Sequence, residues 1–386
     1  MKKVGTNIEK RVFVGMSGGV DSSVSAALLQ KAGYEVTGVF MKVWQPDFLP
    51  CTWREERLDA MRVAAHLGIP LLTWDFEKEY KEGVADYMIR EYKAGRTPNP
   101  DVMCNREVKF GAFFRRAMKE GADFVATGHY AQVAEGDRGL TRTGRGLTQK
   151  NSNTFHMLKG VDDAKDQSYF LWTLGQAQLS KTFFPIGGFK KTAVRALAKK
   201  FALPVAEKKD SQGLCFVGKL DMKDFLAHFI AEKEGSVINE KGEVIGIHRG
   251  AYFYTLGERH GFTVTKKNTD DTPFYIVAKD LNANTITVAH QSDGQQKKPL
   301  ECASVDLQAS QASFCTRVVL DTARTYTAQV RYHGEQHKCK ITSTSEGVFS
   351  LRLEKPAVFD VGQSVVLYDG KECLGGGVIG LDKIAI

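Results

Sequence analysis

The chain has 386 residues, of which 42% are hydrophobic, and its formal net charge is +8. This length predicts two or three domains rather than one, and the positive charge permits a polyanionic partner without requiring one. No apolar run reaches the roughly 18 residues of a membrane-spanning helix, and residues 1–10 lack the apolar core of a signal peptide. We therefore expect a cytoplasmic protein without membrane segments.

The first half of the chain alternates predicted strands and helices. Apolar runs predict strands over residues 12–15, 35–43, 69–76 and 123–131. Apolar side chains at helical spacing predict helices over residues 20–31, 53–67, 77–93 and 105–120. This alternation predicts an α/β domain in which helices flank a parallel sheet, with ligands at the carboxyl ends of the strands.

The second half of the chain changes from helical to strand-like patterns. Residues 135–153 are polar and glycine-rich, which predicts a long loop or hairpin, and further helices are predicted at 166–181 and 192–201. From Ser236 onward, strand-like runs occur at 251–255, 274–278, 285–289, 317–320, 325–332, 338–343, 348–353, 364–368 and 377–381. We therefore predict a catalytic α/β domain over residues 1–224, a small mixed or β connector over 225–298 and a C-terminal β-barrel over 299–386.

The sequence Ser17-Gly-Gly-Val-Asp-Ser22 lies between the first predicted strand and the first predicted helix. A glycine turn in that position directs backbone N–H groups and a helix N-terminus at one point, where phosphate binds. The motif lacks the lysine of a P-loop and the spacing of a dinucleotide fingerprint. It resembles the pyrophosphate loop (PP-loop) of the N-type ATP pyrophosphatases, which predicts an ATP site at Gly15, Met16, Ser17, Gly18, Gly19, Val20, Asp21 and Ser22.

Seven cysteines are present, and no two of them have the C-x-x-C spacing of a zinc site. Four of them lie in strand-like sequence and are interpreted as apolar fillers: Cys302, Cys315, Cys339 and Cys373. Cys104 lies near the predicted start of a helix, where the dipole favours a thiolate. Asp101 is near enough to act on a proton there, although an N-cap aspartate beside a buried cysteine explains the pattern equally well.

Five motifs in order and spacing resemble the bacterial tRNA-specific 2-thiouridylases over nearly the whole chain. These are Gly15-Met-Ser-Gly-Gly-Val-Asp-Ser22, Asn99-Pro-Asp-Val-Met-Cys104, Thr127-Gly-His-Tyr-Ala131, Lys165-Asp-Gln-Ser-Tyr-Phe-Leu171 and Ser211-Gln-Gly-Leu-Cys-Phe216. The resemblance implies a transferase of tRNA processing that thiolates the wobble uridine, with ATP and its Mg²⁺ as cofactors and a sulfur-relay protein as donor. We expect it to act as a monomer.

The resemblance also implies catalytic roles. ATP would occupy the PP-loop with Met41 and Gly128 on the adenosine side, and the uridine O2 would attack the α-phosphate to release pyrophosphate. Cys215 would carry the sulfur as a persulfide, and AMP would leave when that sulfur attacks C2. Cys104 would either release sulfide from the persulfide or resolve Cys215 as a transient disulfide, with Asp101 as general acid or base.

Contacts with tRNA are implied for residues in both halves of the chain. The matched residues are Asn99, Pro100, Asp101, His129, Lys165, Asp166, Gln167, Arg331, Tyr332 and Gln363. Two structural alternatives stay open, because His129 also fits a satisfied core histidine and Asp166 also fits a helix cap. Lysines and arginines dominate residues 189–209, which favours contact with the tRNA backbone.

Three alternatives compete with this interpretation. Another PP-loop adenylating ligase would share the ATP site but would not need paired cysteines. An ATP-gated RNA-binding protein would use the barrel without chemistry. Within the favoured function, two cysteines and an aspartate could ligate an iron–sulfur cluster in place of a persulfide.

Overall fold

The computed structural model describes residues 10–49, 52–136, 154–210, 222–265, 273–290, 303–315 and 320–380. Its strands are β1 Arg11–Gly15, β2 Glu35–Lys42, β3 Leu71–Asp75, β4 Phe124–Ala126, β5 Ala131–Glu135, β6 Phe155–Lys159, β7 Thr182–Phe183, β8 Gly235–Ile238, β9 Val244–His248, β10 Thr263–Val264, β11 Phe274–Asp280, β12 Thr285–His290, β13 Ala303–Phe314, β14 Thr325–Gln329, β15 Gln336–Ser345, β16 Val348–Val358, β17 Ser364–Asp369 and β18 Glu372–Ile379.

Its α-helices are α1 Val20–Lys31, α2 Trp53–Leu67, α3 Glu77–Tyr80, α4 Asp86–Lys93, α5 Pro100–Met103, α6 Phe114–Lys119, α7 Gln176–Leu179, α8 Lys191–Lys200 and α9 Met222–Ala227. Two π-helical segments connect some of these short α-helices into longer helices. Lys81–Ala85 joins α3 to α4, and Cys104–Phe113 joins α5 to α6. Such segments occur often at functional sites.

The N-terminal part contains a parallel sheet with the strand order β3-β2-β1-β4-β7. Strand β1 lies between β2 and β4, with Val14 opposite Gly38 on one side and Ala126 on the other. Val12 and Val14 are fully buried, as expected for a central parallel strand covered on both faces. The chain adds β2 and β3 on one side of β1 and later adds β4 and β7 on its other side. In open α/β sheets, ligands bind at the carboxyl ends of the strands next to such a change of side.

The connector forms a second sheet with the order β10-β9-β8-β12-β11, in which only β8 and β12 run parallel among the described strands. The C-terminal part, together with β5 and β6 from the first half of the chain, forms an eight-stranded antiparallel sheet with the order β13-β16-β15-β14-β17-β18-β6-β5. Because β13 also pairs with β18, six of these strands close into a barrel. These sheets confirm the predicted fold class.

Several predicted elements differ from the observed ones. The helix predicted at 105–120 begins at Pro100, so Cys104 lies inside it. The predicted strand 123–131 ends at Ala126, and its last residue instead starts β5 in the barrel sheet. The helix predicted at 166–181 is only the 3₁₀ turn Ser168–Phe170 and the short α7. The strand predicted at 251–255 is another 3₁₀ turn.

Three parts of the chain meet at a buried group of side chains that we call the junction cluster, formed by Thr97, Thr255, Lys279 and Asp360. Lys279 Nζ donates to Asp360 Oδ2 at 2.7 Å and to two backbone carbonyl oxygens at 3.0 Å each. Thr97 Oγ1 donates to the same carboxylate oxygen at 3.0 Å and lies 3.1 Å from Thr255 Oγ1. All three N–H groups of the lysine are therefore satisfied within the protein.

Candidate functional site

The PP-loop forms a tight turn at the carboxyl end of β1. Ser17 donates its backbone N–H to Ser22 Oγ at 3.2 Å, and Ser23 Oγ donates to the Gly19 carbonyl at 2.7 Å. Gly18 has a φ of +70°, and a Cβ there would lie 2.2 Å from the Glu56 carbonyl oxygen, so this position requires glycine. No described side chain caps α1, so its first N–H groups are available to an anion such as phosphate.

Two residues predicted for the adenosine side lie against this loop. A Cβ on Gly15 would come within 2.9 Å of Met41 Cε, and a Cβ on Gly128 would come within 2.7 Å of the Ser22 backbone nitrogen. The structure thus brings β1, β2 and the chain after β4 together around one turn. Glycine at 128 allows the closest of these approaches.

The Asp21 carboxylate has two partners that sequence reasoning missed. Tyr130 donates its hydroxyl to Oδ1 at 2.7 Å, and Lys191 Nζ lies 2.8 Å from each carboxylate oxygen. Burial and the neighbouring Asp21 charge raise the pKa of the Tyr130 phenol. Tyr130 lies within the motif Thr127-Gly-His-Tyr-Ala131, and that membership was the only signal for its role.

Lys191 also contacts Asp210, and these residues belong to what we call the phosphate-side cluster, formed by Asp21, Lys165, Lys191, Arg195 and Asp210. Asp210 Oδ1 accepts from Lys191 at 2.9 Å and from Arg195 at 2.6 Å, and its Oδ2 accepts from Lys165 at 3.1 Å. Burial alone would raise the pKa of Asp210, but Lys191 and Lys165 lower it to about 2.

The basic stretch at 189–209 therefore turns partly toward the PP-loop. Lys208 Nζ donates to the Gly18 carbonyl at 3.1 Å and pairs with Asp59 at 2.8 Å. Burial would raise the pKa of Asp59, but its pairing with Lys208 and Arg62 holds that pKa below the ordinary value. The predicted contact of this stretch with the tRNA backbone stays a prediction for its exposed lysines.

Asp101 and Cys104 lie on consecutive turns of one helix. Asn99, rather than Asp101, caps this helix through its side chain, which accepts from the Val102 N–H at 3.3 Å. Burial raises the pKa of the Asp101 carboxyl above its ordinary value, and the Lys109 ammonium offsets part of that rise. Cys104 is only 4% exposed and lies one turn inside the helix, so the helix dipole acts on it less than the sequence predicted.

His129 is buried and hydrogen-bonded, as its structural alternative predicts. Its Nδ1 lies 2.7 Å from Thr127 Oγ1, and its Nε2 lies 3.5 Å from Lys109 Nζ. Burial and the Lys109 charge hold the pKa of His129 well below its ordinary value. A neutral ring that accepts from the ammonium at Nε2 must carry its proton at Nδ1 and donate it to the threonine.

The Lys-Asp-Gln run is held mainly by contacts within the protein. Lys165 pairs with Asp210, and Gln167 Oε1 accepts from the Tyr130 N–H at 3.0 Å. Asp166 accepts from the Ser168 N–H at 3.1 Å, from the Ser168 hydroxyl at 2.8 Å and from the Gly160 N–H at 2.9 Å, but it is not the N-cap of the 3₁₀ turn that follows. Burial raises the pKa of Asp166 despite these hydrogen bonds.

The barrel contributes Tyr332 to the region of the helix that carries Asp101 and Cys104. The Tyr332 ring lies 4.3 Å from the Phe170 ring, measured between centroids, and burial with the charges of Asp166 and Asp101 raises its pKa. Arg331 donates to the Leu256 carbonyl of the connector at 2.5 Å. Gln363 Oε1 accepts from the backbone N–H of Asp360 at 2.8 Å, next to the junction cluster.

Cys215 lies outside the described residues, as do Cys51, Cys302 and residues 137–153. Cys315, Cys339 and Cys373 are fully buried, and burial raises the pKa of Cys339 to about 12. Within the described ranges, no group of three or more His, Cys, Asp or Glu side chains is arranged to hold a metal ion. No helix in those ranges is long and apolar enough to cross a membrane.

Comparison with known proteins places this geometry in a family. Three family models match consecutive parts of the chain: a tRNA methyl transferase HUP domain at residues 10–219, a tRNA methyl transferase PRC-barrel domain at 223–290 and an aminomethyltransferase beta-barrel domain at 304–379. A tRNA-specific 2-thiouridylase MnmA from Enterococcus faecalis is 43% identical over 377 residues, which are 97% of this chain and 96% of that protein. One from Pseudomonas putida is 43% identical over 372 residues, covering 96% and 94%.

A solved structure is similar at a greater distance. The U34-tRNA thiolase NcsA from Methanococcus maripaludis, solved with its 4Fe-4S cluster, is 17% identical, with a TM-score of 0.34, and the match covers 58% of this chain and 66% of that one. The full-length matches confirm the resemblance that the motifs indicated. The chain belongs to the tRNA-specific 2-thiouridylase family.

Proposed function

We propose that this member of the family uses ATP to replace the O2 oxygen of the tRNA wobble uridine with sulfur. The observation that carries the proposal is that Gly128, His129 and Lys109 follow one another from the PP-loop, and that the Lys109 charge acts electrostatically on the Asp101 carboxyl. Gly128 lies against the loop at Ser22, His129 follows it, and Lys109 lies 3.5 Å from His129 and acts on the Asp101 carboxyl. A base activated on the loop would therefore meet the catalytic helix.

The first half-reaction is adenylation. The uridine O2 attacks the α-phosphate of ATP, the bond to the β-phosphate breaks, and pyrophosphate leaves. The uncapped N–H groups at the start of α1 and the ammonium groups of Lys191 and Lys208 would stabilise the phosphate charge. The carboxylate of Asp21 suits Mg²⁺, which prefers oxygen ligands and would neutralise the triphosphate when bound.

The second half-reaction is sulfur transfer. The terminal sulfur of a Cys215 persulfide attacks C2 of the adenylated uridine, and AMP leaves with the original oxygen. The Cys104 thiolate then attacks the inner sulfur, which releases 2-thiouridine and leaves a Cys104–Cys215 disulfide. If Cys104 attacks first and releases sulfide to the base, the same disulfide results, and an external thiol must reduce it in either order. Asp101, with its raised pKa, serves as general acid or base.

The partners and organisation follow from the same proposal. We propose that a sulfur-relay protein loads Cys215, that the enzyme acts as a monomer in the cytoplasm, and that Tyr332, Arg331 and Gln363 of the barrel contact tRNA. The proposed domain limits are 1–224, 225–298 and 299–386. The β5–β6 hairpin pairs with β18, which supports a fixed position of the barrel relative to the catalytic part.

A single-turnover experiment tests the proposal. Wild type, Cys104→Ser and Cys215→Ser react with unmodified tRNA, ATP, Mg²⁺ and a sulfur donor, while pyrophosphate and 2-thiouridine are followed together. We expect both variants to release pyrophosphate on tRNA without forming 2-thiouridine. A wild type without tRNA-dependent pyrophosphate release would favour the RNA-binding alternative. A visible absorption band in anaerobically purified protein that disappears in both variants would favour an iron–sulfur cluster instead.

A further inference from the structure

An aromatic group lies beside the helix that carries Asp101 and Cys104, and it consists of Tyr169, Phe170 and Tyr332. The Phe170 ring lies 5.5 Å from the Tyr169 ring and 4.3 Å from the Tyr332 ring, measured between centroids. Tyr169 is buried, whereas Phe170 and Tyr332 are half-buried. Solvent therefore reaches part of one ring from each half of the chain.

Two asparagines of that helix hold the aromatic group. Asn105, which follows Cys104 directly, donates from Nδ2 to the Phe170 carbonyl oxygen at 3.0 Å. Asn105 is 2% exposed, and its Oδ1 has no hydrogen-bond partner among the described residues, so the bond to Phe170 is the one that they give this side chain. At the start of the helix, the Asn99 side chain interacts with the Tyr169 hydroxyl. The position of the Phe170 ring is therefore coupled to that of the helix.

The barrel also contacts the aromatic group. The Tyr169 hydroxyl donates to the Ser364 carbonyl at 2.9 Å, and Tyr332 itself belongs to the barrel. The Tyr332 ring has a second close neighbour, the His333 ring at 3.9 Å between centroids, whereas Tyr332 is the nearest described ring to Phe170. Phe170 is therefore the half-buried ring that the described rings of the protein cover less.

The aromatic group lies where the proposed reaction needs a base to be held. Burial, and then the charges of Asp166 and Asp101, raise the pKa of Tyr332, so the group lies within electrostatic reach of the Asp101 carboxyl. A uridine that leaves the anticodon stack loses its neighbouring bases, and proteins that bind such bases commonly stack them on aromatic side chains. A half-buried ring at this position would hold the plane of the base while its C2 atom reacts.

We propose that the wobble uridine stacks on the Phe170 ring during the reaction, with Asn105 as a positioning residue for that ring and Tyr332 as its support from the barrel. The inference deepens the proposed function and rests on it for the identity of the base. It differs from a purely structural role, in which Phe170 only joins the catalytic part to the barrel. A structural phenylalanine would contact no RNA, whereas a stacking one must touch the base.

The first test uses light-induced cross-linking in the complex of the full chain with tRNA that carries 5-iodouridine at the wobble position. Light breaks the carbon–iodine bond, and the uracil ring then bonds to an aromatic side chain stacked on it. We expect mass spectrometry to find the cross-link at Phe170, and we expect Phe170→Leu, which stays apolar, to lower the cross-linking yield by about fivefold or more. Cross-links confined to other residues, Tyr332 included, would overturn the proposal.

The matched control is Phe274→Leu in the connector. Phe274 is also half-buried and also paired with another ring, that of His290 at 3.8 Å between centroids, and we expect the wild-type yield in this variant. Asn105→Ala removes the hydrogen bond to Phe170 and should lower the yield by about threefold or more, but it should have no further effect in a Phe170→Leu background. An unchanged yield in Asn105→Ala would overturn its positioning role.

The second test compares variants that keep or lose the ring, in single turnovers at limiting tRNA. We expect Phe170→Leu to lower tRNA-dependent pyrophosphate release and 2-thiouridine formation together by about tenfold or more, because both steps need a positioned base, and to bind ATP as wild type does without tRNA. Phe170→Tyr keeps a ring and should react nearly as wild type does. Equal losses in these two variants, or none in either, would overturn the stacking role. If wild type itself releases no pyrophosphate on tRNA, the proposed function fails, while the cross-linking test still decides whether the wobble base contacts Phe170.

Discussion

The junction cluster and the phosphate-side cluster each combine lysine with aspartate, yet they differ in burial and in how their hydrogen bonds are used. Lys279 and Asp360 are 10% and 4% exposed, whereas Asp21 and Asp210 are 31% and 32% exposed. Lys279 donates to one carboxylate and two backbone carbonyls. The Lys191 ammonium instead contacts the carboxylates of Asp21 and Asp210.

This difference in burial and in hydrogen-bond partners distinguishes an ion pair that stabilises the fold from one that takes part in function. Breaking a buried pair leaves an uncompensated charge in a low-dielectric interior, which costs much stability. The carboxylates of the phosphate-side cluster are about a third exposed, so water screens their ion pairs more and each pair adds less stability. The junction cluster therefore fixes where the three parts meet, and in the proposed function the phosphate-side cluster would set the charge beside the nucleotide.

The largest effect is expected when an aspartate is replaced by asparagine in each cluster separately and the two variants are compared. Asp360→Asn should lower the free energy of unfolding by about 3–5 kcal/mol, because Lys279 is left buried without its counter-ion. Asp21→Asn should lower it by only about 1 kcal/mol or less and should instead abolish tRNA-dependent pyrophosphate release. Chemical denaturation and the pyrophosphate assay measure the two outcomes. Equal losses of stability in the two variants would break the comparison.

Asp101 gives the next largest effect. Asp101→Asn should slow thiolation about 100-fold or more, as expected for loss of a general acid or base. Burial raises its pKa in the folded state, so the folded protein loses stability as pH rises from the unfolded pKa through the folded pKa. The neutral asparagine removes that loss.

We therefore expect Asp101→Asn to be at least as stable as wild type at neutral pH, in contrast to Asp360→Asn. Thermal unfolding at several pH values between 4 and 8 checks this expectation. A lower midpoint of thermal unfolding than wild type across that range would mean that Asp101 mainly stabilises the fold, as Asp360 does.

A smaller effect is expected where a glycine lets the chain approach the PP-loop. Gly128→Ala places a Cβ against the Ser22 backbone, and such overpacking typically costs about 1–3 kcal/mol. We expect roughly tenfold weaker ATP binding, measured by calorimetry. Gly188→Ala is the matched control, since a Cβ there meets no atom within 4 Å, and it should bind ATP as wild type does.

The smallest effect concerns the pH dependence of thiolation. Lys109 lowers the pKa of Asp101, so Lys109→Met should raise that pKa further. If Asp101 acts as the base, the acid limb of the rate–pH profile moves to higher pH, and if it acts as the acid, the basic limb does. Lys119→Met, at an exposed position on α6, should leave the profile unchanged. An unchanged rate–pH profile in Lys109→Met would show that this lysine does not influence the titration of Asp101 during thiolation.

The sequence alone identified the features that depend on neighbouring residues. The PP-loop, the limits of α1 and α2 and the parallel arrangement of β1 to β4 all follow from local spacing of apolar residues and glycine. The Asp101–Cys104 pair was also visible because both residues lie in one short motif. The start of their helix was misplaced because Asn99, an N-cap just before Pro100, was not recognised as the helix signal.

Only the tertiary structure decided which distant groups meet. Lys191 reaches Asp21 across 170 positions, Thr97 reaches Asp360 across 263, and the β5–β6 hairpin joins the barrel sheet instead of the sheet beside it in sequence. No local pattern specifies such pairings, because many lysines and aspartates along the chain are equally suited to each other. Packing of the three parts chooses among them, and with that choice it separates the ion pair that holds the fold from the one that serves the phosphate site.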